Sequence, residues 1–159
     1  MRLRTLGFLF VFLLGLAAGV AAGIFVYPYI FLADVVATDE APAARRLVAN
    51  GRFVHVNPGD PIHYGKGAVS VYENTVHLNN DFEVGPGPKF HVYLVPAAPV
   101  TAERDVSQSM FVDLGRLRAF KGSQNYSIPP GLDLKNFRSV VIWCEHFSVL
   151  ISPAALEFK

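Results

Sequence analysis

The chain has 159 residues, of which 52% are hydrophobic and 17% charged, and its formal net charge at pH 7 is +1. This balance, with no cluster of Lys or Arg, excludes nucleic acid as an expected partner. The single cysteine, Cys144, excludes an internal disulfide framework and any metal site built from several cysteines. Thirteen Gly and eleven Pro predict many turns, which favours β structure over a helix bundle.

The first segment predicts a transmembrane helix over residues 6–33, which carry no charged residue. About 20 helical residues cross a hydrocarbon core, and lipid forces such a segment to be helical. Arg residues precede the segment and acidic residues follow it, so residues 1–5 are expected in the cytoplasm and the remainder outside. We expect an uncleaved, single-pass anchor in the cell membrane. A cleaved signal peptide, ending near residues 17–19 or 21–23, is the alternative, and it also exports the rest of the chain.

Small residues in this segment predict how the helix packs and where it ends. Glycines recur every four residues, at Gly15, Gly19 and Gly23. Such a stripe lets two helices approach closely and predicts a homodimer, although Gly and Ala are common in membrane helices in general. Tyr27 and Tyr29 are expected at the membrane interface, and Pro28 predicts a kink or the end of the helix.

The part that follows predicts a linker, residues 34–46, and one β domain, residues 47–159. Residues 45–51 are compatible with one or two helical turns that end at Gly51. Beyond Gly51, short runs of β-branched and aromatic residues alternate with Gly, Pro, Asn and Asp, which is typical of strands and turns. The predicted strands are residues 52–56, 67–73, 75–80, 90–95, 111–114, 124–128, 139–144 and 147–151. About eight short strands predict an all-β fold, a β-sandwich or a partly open barrel.

Two strands and two turns carry further expectations. Residues 75–80 alternate, so Val76 and Leu78 are expected to face inward and His77 outward. Residues 139–144 are apolar on both faces, which predicts a central strand that is covered on both sides. Residues 73–74 predict a hairpin turn, and the Gly-Pro-Gly-Pro run at 85–88 predicts a loop.

An ordered set of motifs across residues 47–159 resembles the DM13 family of electron-transfer domains. The motifs are Gly51-Arg52-Phe53, His63 to Val69, Phe82 followed by Gly85 to Leu94, Leu114 to Leu117, Gly122 to Pro129, and Val140 to Cys144 followed by Phe147-Ser148-Val149. The sequence departs at Gly87, where the family often has Asp, and at residues 151–153. The resemblance implies a sandwich-type all-β fold, related in context to domains that bind haem or sugar. It also implies a redox role for the cysteine of the Trp-Cys pair, here Cys144.

Cys144 is therefore the candidate redox thiol. A thiol reacts as its thiolate, which needs a nearby cation or helix N-terminus. His146 is two residues away and would share a face with Cys144 at about 6–7 Å in a flat strand. The alternative is that Cys144 is a small apolar residue packed in a central strand. Because one exported thiol cannot close an internal disulfide, a functional Cys144 requires a partner protein, a second copy, a metal or a cofactor.

The histidines and the remaining motifs give weaker signals. The sequence contains five histidines without a recognisable metal spacing: His55, His63, His77, His91 and His146. Of these, His63 and His146 are weak metal candidates together with Cys144, and hydrogen-bonded strand histidines are the alternative. Met110 with a histidine is a minor haem candidate. The sequence requires no cofactor, and it contains no recognisable catalytic motif, so an enzyme is the least favoured class.

Two functions from different classes remain open. One is a membrane-tethered electron-transfer module that uses Cys144 with an unknown redox partner. The other is a non-catalytic β-sandwich interaction or adhesion module in which Cys144 is structurally buried. Both place a single-pass protein in the membrane, with its domain in the periplasm or outside the cell.

Overall fold

A computed structural model describes residues 2–27, 30–31 and 33–159. Helix α1, Arg2–Tyr27, has 26 residues, which corresponds to about 39 Å of helix. Its stretch Arg4–Ile24 is apolar, has no contact that buries it, and is long enough to cross a membrane. The predicted kink at Pro28 and the predicted interfacial position of Tyr29 lie outside the described residues.

Eleven strands are described in the rest of the chain. They are β1 Val36–Thr38, β2 Leu47–Phe53, β3 Gly65–Lys66, β4 Ala68–Tyr72, β5 Thr75–Leu78, β6 Glu83–Val84, β7 Phe90–Val95, β8 Val112–Arg116, β9 Lys121–Ser127, β10 Ser139–Cys144 and β11 Val149–Phe158. A short helix α2, Glu103–Ser107, and a 3₁₀ turn, Leu134–Asn136, complete the described elements. The sequence predicted eight of these strands in outline and missed the shortest ones.

The strands form one open sheet that folds over a common core. Its order is β3-β6-β9-β5-β4-β2-β11-β10-β7-β8, with β1 alongside β9. All pairings are antiparallel except β1 with β9. Strands far apart in this order supply one apolar cluster, for example Val76 of β5, Leu94 of β7 and Val140 of β10. The sheet is not closed, so the predicted all-β, sandwich-type fold is confirmed.

Strand β10 is buried along its whole length, as its two apolar faces predicted. Val140, Ile142 and Cys144 belong to the main cluster on one face. Val141 and Trp143 belong to a second cluster on the other face. That second cluster also contains Val100 and Val106 from the segment that includes α2. A short helical segment therefore covers the outer face of the strand that carries Cys144.

The helical turns predicted for residues 45–51 are wrong, because Leu47–Phe53 forms strand β2. Ala49 and Phe53 are buried on one face of β2, with Gly51 between them. A Cβ atom at Gly51 would lie 3.2 Å from the carbonyl carbon of Ala155, so the glycine permits close approach of β11. The first half of the inner face of β2 thus consists of the small residues Ala49 and Gly51, and hydrophobic periodicity did not reveal it.

Two further expectations differ from the structure. The strand predicted at residues 147–151 begins at Val149 and continues to Phe158, through Pro153. His77 was expected to face solvent but is only 5% exposed. Its Nδ1 lies 2.7 Å from Oδ1 of Asn125, which covers the imidazole from the neighbouring strand. The hairpin at residues 73–74 and the loop at 85–88 are confirmed.

Part of the predicted linker is fixed to the domain. Strand β1 runs parallel to β9, with Val36 opposite Lys121. The Asp39 carboxylate accepts a hydrogen bond from the Asn125 N–H at 2.8 Å and pairs with the Arg118 guanidinium. The Asn125 side chain donates to the backbone carbonyl of residue 40 at 2.8 Å. We call residues 36–40 the strap, since they attach the chain leading from α1 to the edge of the sheet.

Candidate functional site

Cys144 is the last residue of β10, opposite Phe90 of β7 and Val149 of β11. Cys144 is 2% exposed. The thiol donates a hydrogen bond to the carbonyl oxygen of Pro88 at 3.3 Å. The sulfur is therefore shielded from solvent by the loop that precedes β7.

Burial raises the pKa of the Cys144 thiol above its ordinary value, because desolvation disfavours the thiolate. The backbone N–H groups of Phe147 and His146 donate toward the sulfur and oppose this effect. In this closed arrangement Cys144 is a protonated thiol rather than an activated nucleophile. The two N–H groups nevertheless provide donors for a thiolate if solvent reaches the sulfur.

Two short segments cover the thiol, residues 85–89 before β7 and the turn 145–148 between β10 and β11; we call them the thiol lid. The Glu145 N–H donates to the carbonyl oxygen of Lys89 at 3.1 Å. Nζ of Lys89 lies 3.1 Å from Oε2 of Glu145, with side-chain exposures of 50% and 42%. Ion pairs this exposed are weak because water screens them. The lid is thus held across its outer side by few and solvent-exposed contacts.

The backbone of the lid contains two non-glycine residues in the left-handed region. Lys89 has φ 53° and Ser148 has φ 55°. This conformation is uncommon for residues with a side chain and is maintained by surrounding contacts. All four residues of the turn 145–148 are exposed. This half of the cover above Cys144 is therefore a surface layer, whereas residues 85–88 of the other half are buried or half-buried.

His91 connects the lid to the outer face of the sheet. Its Nδ1 lies 2.9 Å from Oδ2 of Asp113, and its Nε2 lies 3.2 Å from Oε2 of Glu145. The His91 side chain is 14% exposed. Two carboxylates hold the imidazole because a cross-strand neighbour and the turn residue both reach it.

An aromatic stack lies beside His91. The rings of Tyr93 and Phe111 are parallel, with centroids 4.4 Å apart, and Trp143 lies 6.3 Å from Tyr93. Burial raises the pKa of Tyr93 to about 12, and the charges of Asp113 and Glu145 add to the shift. Tyr93 and Trp143 are both buried.

The two weak metal candidates have other partners. Nδ1 of His63 lies 2.6 Å from Oδ2 of Asp60. The His63 side-chain hydrogen bond, together with backbone donors from Ile62 and His63, lowers the pKa of Asp60 to about 2. The ring of His146 meets the Phe147 ring edge-on at 4.5 Å. The structure thus brings the main chain of His146 to the sulfur, while the His63 imidazole is bound to Asp60.

Within the described residues, no group of three or more His, Cys, Asp and Glu side chains could hold a metal ion. Met110, the minor haem candidate, is 88% exposed. The stripe of Gly15, Gly19 and Gly23 is open, since a Cβ at any of them would meet nothing within 4 Å. Homodimerisation through this stripe stays a prediction.

Sequence reasoning did not identify the residues that form the lid. Lys89 and Glu145 are 56 positions apart and become partners only through the pairing of β7 with β10. The available signal was indirect, because the Gly-Pro-Gly-Pro-Lys run and the Trp-Cys pair both belong to the motifs quoted above. Nothing in those motifs indicated that the first covers the second.

Comparison with known proteins gives one match. The family model described as "Electron transfer DM13" matches residues 59–156, well over half of the chain. No curated protein and no solved structure matches the chain. The matched segment contains Cys144 and both halves of the thiol lid. The chain therefore belongs to the DM13 family.

Proposed function

We propose that this protein is a membrane-anchored, extracytoplasmic DM13 domain that transfers electrons by thiol chemistry at Cys144. The observation that supports the proposal is the lid, whose two segments cover the thiol and are fastened on their outer side by the exposed ion pair of Lys89 with Glu145. The family description points to the same class of function.

Helix α1 supports the membrane part of the proposal. Its apolar side chains are exposed and have no protein partner within the described residues. Burying such side chains in lipid removes them from water, and each buried methylene contributes about 0.8 kcal/mol. Arg2 and Arg4, in the first turn of the helix, favour a cytoplasmic N-terminus.

Membrane fractionation tests this part directly. The full chain should remain in the membrane pellet after an alkaline carbonate wash, and its mass should be that of the uncleaved chain. Protease added to intact cells whose outer barrier has been opened should digest the domain and leave the N-terminal end. A soluble product that lacks residues 1–23 would support the cleaved signal peptide, and a protected domain would contradict export.

The redox step that we propose is thiol–disulfide exchange. The thiolate of Cys144 attacks a disulfide of a partner protein, so a new S–S bond forms between the two proteins and the partner's own S–S bond breaks. The proton from Cys144 is taken up by the departing partner thiolate. A dithiol reductant then completes the transfer: its first thiolate attacks the sulfur of Cys144 and releases the partner's second sulfur as a thiolate, and its second thiolate attacks the first, which frees Cys144 and leaves the reductant as a disulfide. Two electrons thus pass from the dithiol to the partner's disulfide, and each released thiolate takes up the proton that an attacking thiol gave up.

The closed lid makes this step conditional. Exchange requires a thiolate and access to it, and both are limited by burial of the sulfur. The observed reaction rate is then the rate of the open form multiplied by the fraction of molecules whose lid is open.

Thiol labelling of the folded full chain in detergent micelles is the decisive experiment. Cys144 is the only thiol, so N-ethylmaleimide reports on it alone. We expect slow labelling in the native protein that does not change with low urea concentrations, because local opening exposes little surface. Lys89→Ala should accelerate it by removing the ion pair across the lid.

The matched control is Lys66→Ala, which removes an ion pair of similar exposure between Lys66 and Glu83 at 3.0 Å. This variant should label at the native rate. Labelling that rises steadily with urea from the lowest concentration would mean that only global unfolding exposes the thiol. The redox proposal would then be abandoned.

The second candidate function is an interaction module in which Cys144 is only packed. The 2% exposure of Cys144 and the raised pKa of its thiol favour this alternative. Trapping distinguishes the two. In the redox case, the wild-type chain forms mixed disulfides with exported proteins and Cys144→Ala does not; in the packing case, both variants bind the same partners without a covalent link.

A further inference from the structure

The strap, which connects the anchor helix to the domain, is held by a segment that also packs beside the thiol lid. Val36–Thr38 pairs with Lys121–Ser123 of β9. The Asp39 N–H donates to the Ser123 carbonyl at 3.0 Å, and the Asp39 carboxylate pairs with Arg118. The strap is therefore docked both by main-chain pairing and by one carboxylate.

Arg118 lies in the segment 117–120, which packs against the start of β7. The Leu117 N–H donates to the carbonyl oxygen of Phe90 at 2.8 Å. The ring of Phe120 meets the ring of Phe90 edge-on, with centroids 5.8 Å apart. The position of Arg118 is thus tied to the position of Phe90 by contacts on both sides of Arg118 in the chain.

Phe90 is the residue on which the lid rests. It lies opposite Cys144 in the β7–β10 pairing. A Cβ atom at Gly87 would lie 2.6 Å from Cε1 of Phe90, so the loop packs directly on this ring. Gly87 and Lys89 line a small cleft together with residues 116–120. The lid and the strap-binding segment therefore face the same cleft and both pack on Phe90.

We propose that docking of the strap on β9 holds the thiol lid closed, and that undocking of the strap exposes Cys144. Movement of the anchor helix, or a partner that displaces the strap, would then control access to the thiol. This inference rests on the proposed function, since it names the regulation of that same site. The physical connection runs from Asp39 through Arg118 and Phe90 to the loop above Cys144.

Coupling between two such sites is reciprocal. If strap docking closes the lid, then an adduct on Cys144 that holds the lid open must weaken strap docking by the same factor. This reciprocity provides two independent measurements. The first follows the thiol while the strap is changed, and the second follows the strap while the thiol is changed.

The first measurement compares Asp39→Asn with the wild-type full chain in micelles. The substitution keeps the shape of the side chain and removes the charge that Arg118 binds. We expect N-ethylmaleimide to label Cys144 about fivefold faster or more, the lower end of ordinary coupling between sites. The control is Glu73→Gln, which breaks the exposed pair of Glu73 with Arg46 at 3.0 Å, away from the strap. It should label at the wild-type rate.

The second measurement uses limited proteolysis after Glu40 by a glutamate-specific protease. The chain labelled at Cys144 should be cleaved several-fold faster than the unlabelled chain. Unchanged labelling of Asp39→Asn, equal acceleration in Glu73→Gln, or unchanged cleavage would each overturn the inference. If the wild-type thiol is labelled through local opening but Asp39→Asn does not change the labelling rate, this inference fails while the proposed function stands. Labelling only through global unfolding overturns the proposed function as well.

Discussion

Nε2 of His91 lies 3.2 Å from Oε2 of Glu145, so an imidazole on β7 supports the turn that covers Cys144 from the side of the sheet. Lys89 binds the same carboxylate oxygen at 3.1 Å. One carboxylate thus fastens both halves of the lid. Its protonation state determines whether either contact has a charged acceptor.

The closure of the lid should therefore depend on acid pH. The hydrogen bond from Lys89 is the largest cause of the lowered pKa of Glu145, and the charges of Lys89 and His91 add to it. A carboxyl whose folded pKa is lowered contributes its contact above the unfolded value and loses it as pH falls through the folded value. Since the ordinary value is 4.5, we expect lid opening to increase below that pH.

The measurement is the rate at which 4,4′-dithiodipyridine, which reacts with thiols in acid, modifies Cys144 between pH 3 and pH 7. The wild type should show an increase at the acid end after correction for the reactivity of a small thiol. Glu145→Gln should react faster at neutral pH and show a flatter profile. Parallel profiles for the two proteins would show that Glu145 does not fasten the lid.

Asp60 gives a second pH prediction, away from the thiol. Hydrogen bonds from the His63 side chain and from two backbone N–H groups lower the pKa of Asp60 to about 2. In His63→Ala this pKa should rise toward the ordinary value of 3.8 without reaching it, because the backbone donors remain. Carboxyl carbon chemical shifts measured over a pH titration report it. A value near 2 in His63→Ala would mean that the imidazole contributes nothing.

The fold could be predicted from the sequence where large apolar residues mark the buried faces of a strand. Residues 90–95 and 139–144 were predicted with the bounds that β7 and β10 have, because their runs are long, apolar and bounded by turns. Only the end of strand β2 was predicted, by the strand expected at residues 52–56, since Ala49 and Gly51 earlier on its inner face are small and a strand depends on partners that the local sequence does not show. The two-residue strands β3 and β6 are too short to produce a periodic signal.

The candidate site was predictable in its chemistry and not in its surroundings. A lone thiol after a tryptophan was visible in the sequence, together with the choice between a reactive and a packed cysteine. The thiol lid was not visible in the sequence, because it depends on which loop the pairing of β7 with β10 places over Cys144. The strap was read as a linker for the same reason, since β1 has only three residues and pairs with a strand 85 positions away.

Gln124 should be the polar residue on which the stability of the Arg118 segment depends. It is fully buried. Its side-chain oxygen accepts from the N–H groups of Arg118 and Ala119 at 3.1 Å and from the Tyr126 hydroxyl at 2.9 Å. Its amide nitrogen donates to the Ala119 carbonyl at 2.8 Å. Gln124→Leu leaves several buried groups without partners, at about 1–3 kcal/mol each.

Urea unfolding of Gln124→Leu should therefore show a loss of at least about 2 kcal/mol. Tyr126→Phe removes the hydroxyl that donates to Gln124 and accepts from the Arg118 N–H, and it should lose about 1 kcal/mol because Arg118 keeps its bond to Gln124. Comparing the two variants separates the contribution of the Gln124 hydrogen-bond network to the free energy of unfolding from that of the Tyr126 hydroxyl alone. Equal losses in the two variants would indicate that the segment is held by its other contacts, including those with Phe90.

Strand β10 predicts a stability pattern that an ordinary half-buried strand would not give. Ile142 belongs to the main cluster and Trp143 to the second cluster on the opposite face. Ile142→Ala should cost about 2–5 kcal/mol and Trp143→Ala about 3–5 kcal/mol, since each leaves a cavity in a packed region. Arg138→Ala, at an exposed position just before the strand where the guanidinium lies 5.9 Å from the centroid of the Phe158 ring, should cost no more than about 1 kcal/mol. Urea unfolding gives all three values. A small loss in the free energy of unfolding of Trp143→Ala would mean that the segment containing α2 covers β10 only loosely. The outer side of the strand bearing Cys144 would then be open to solvent.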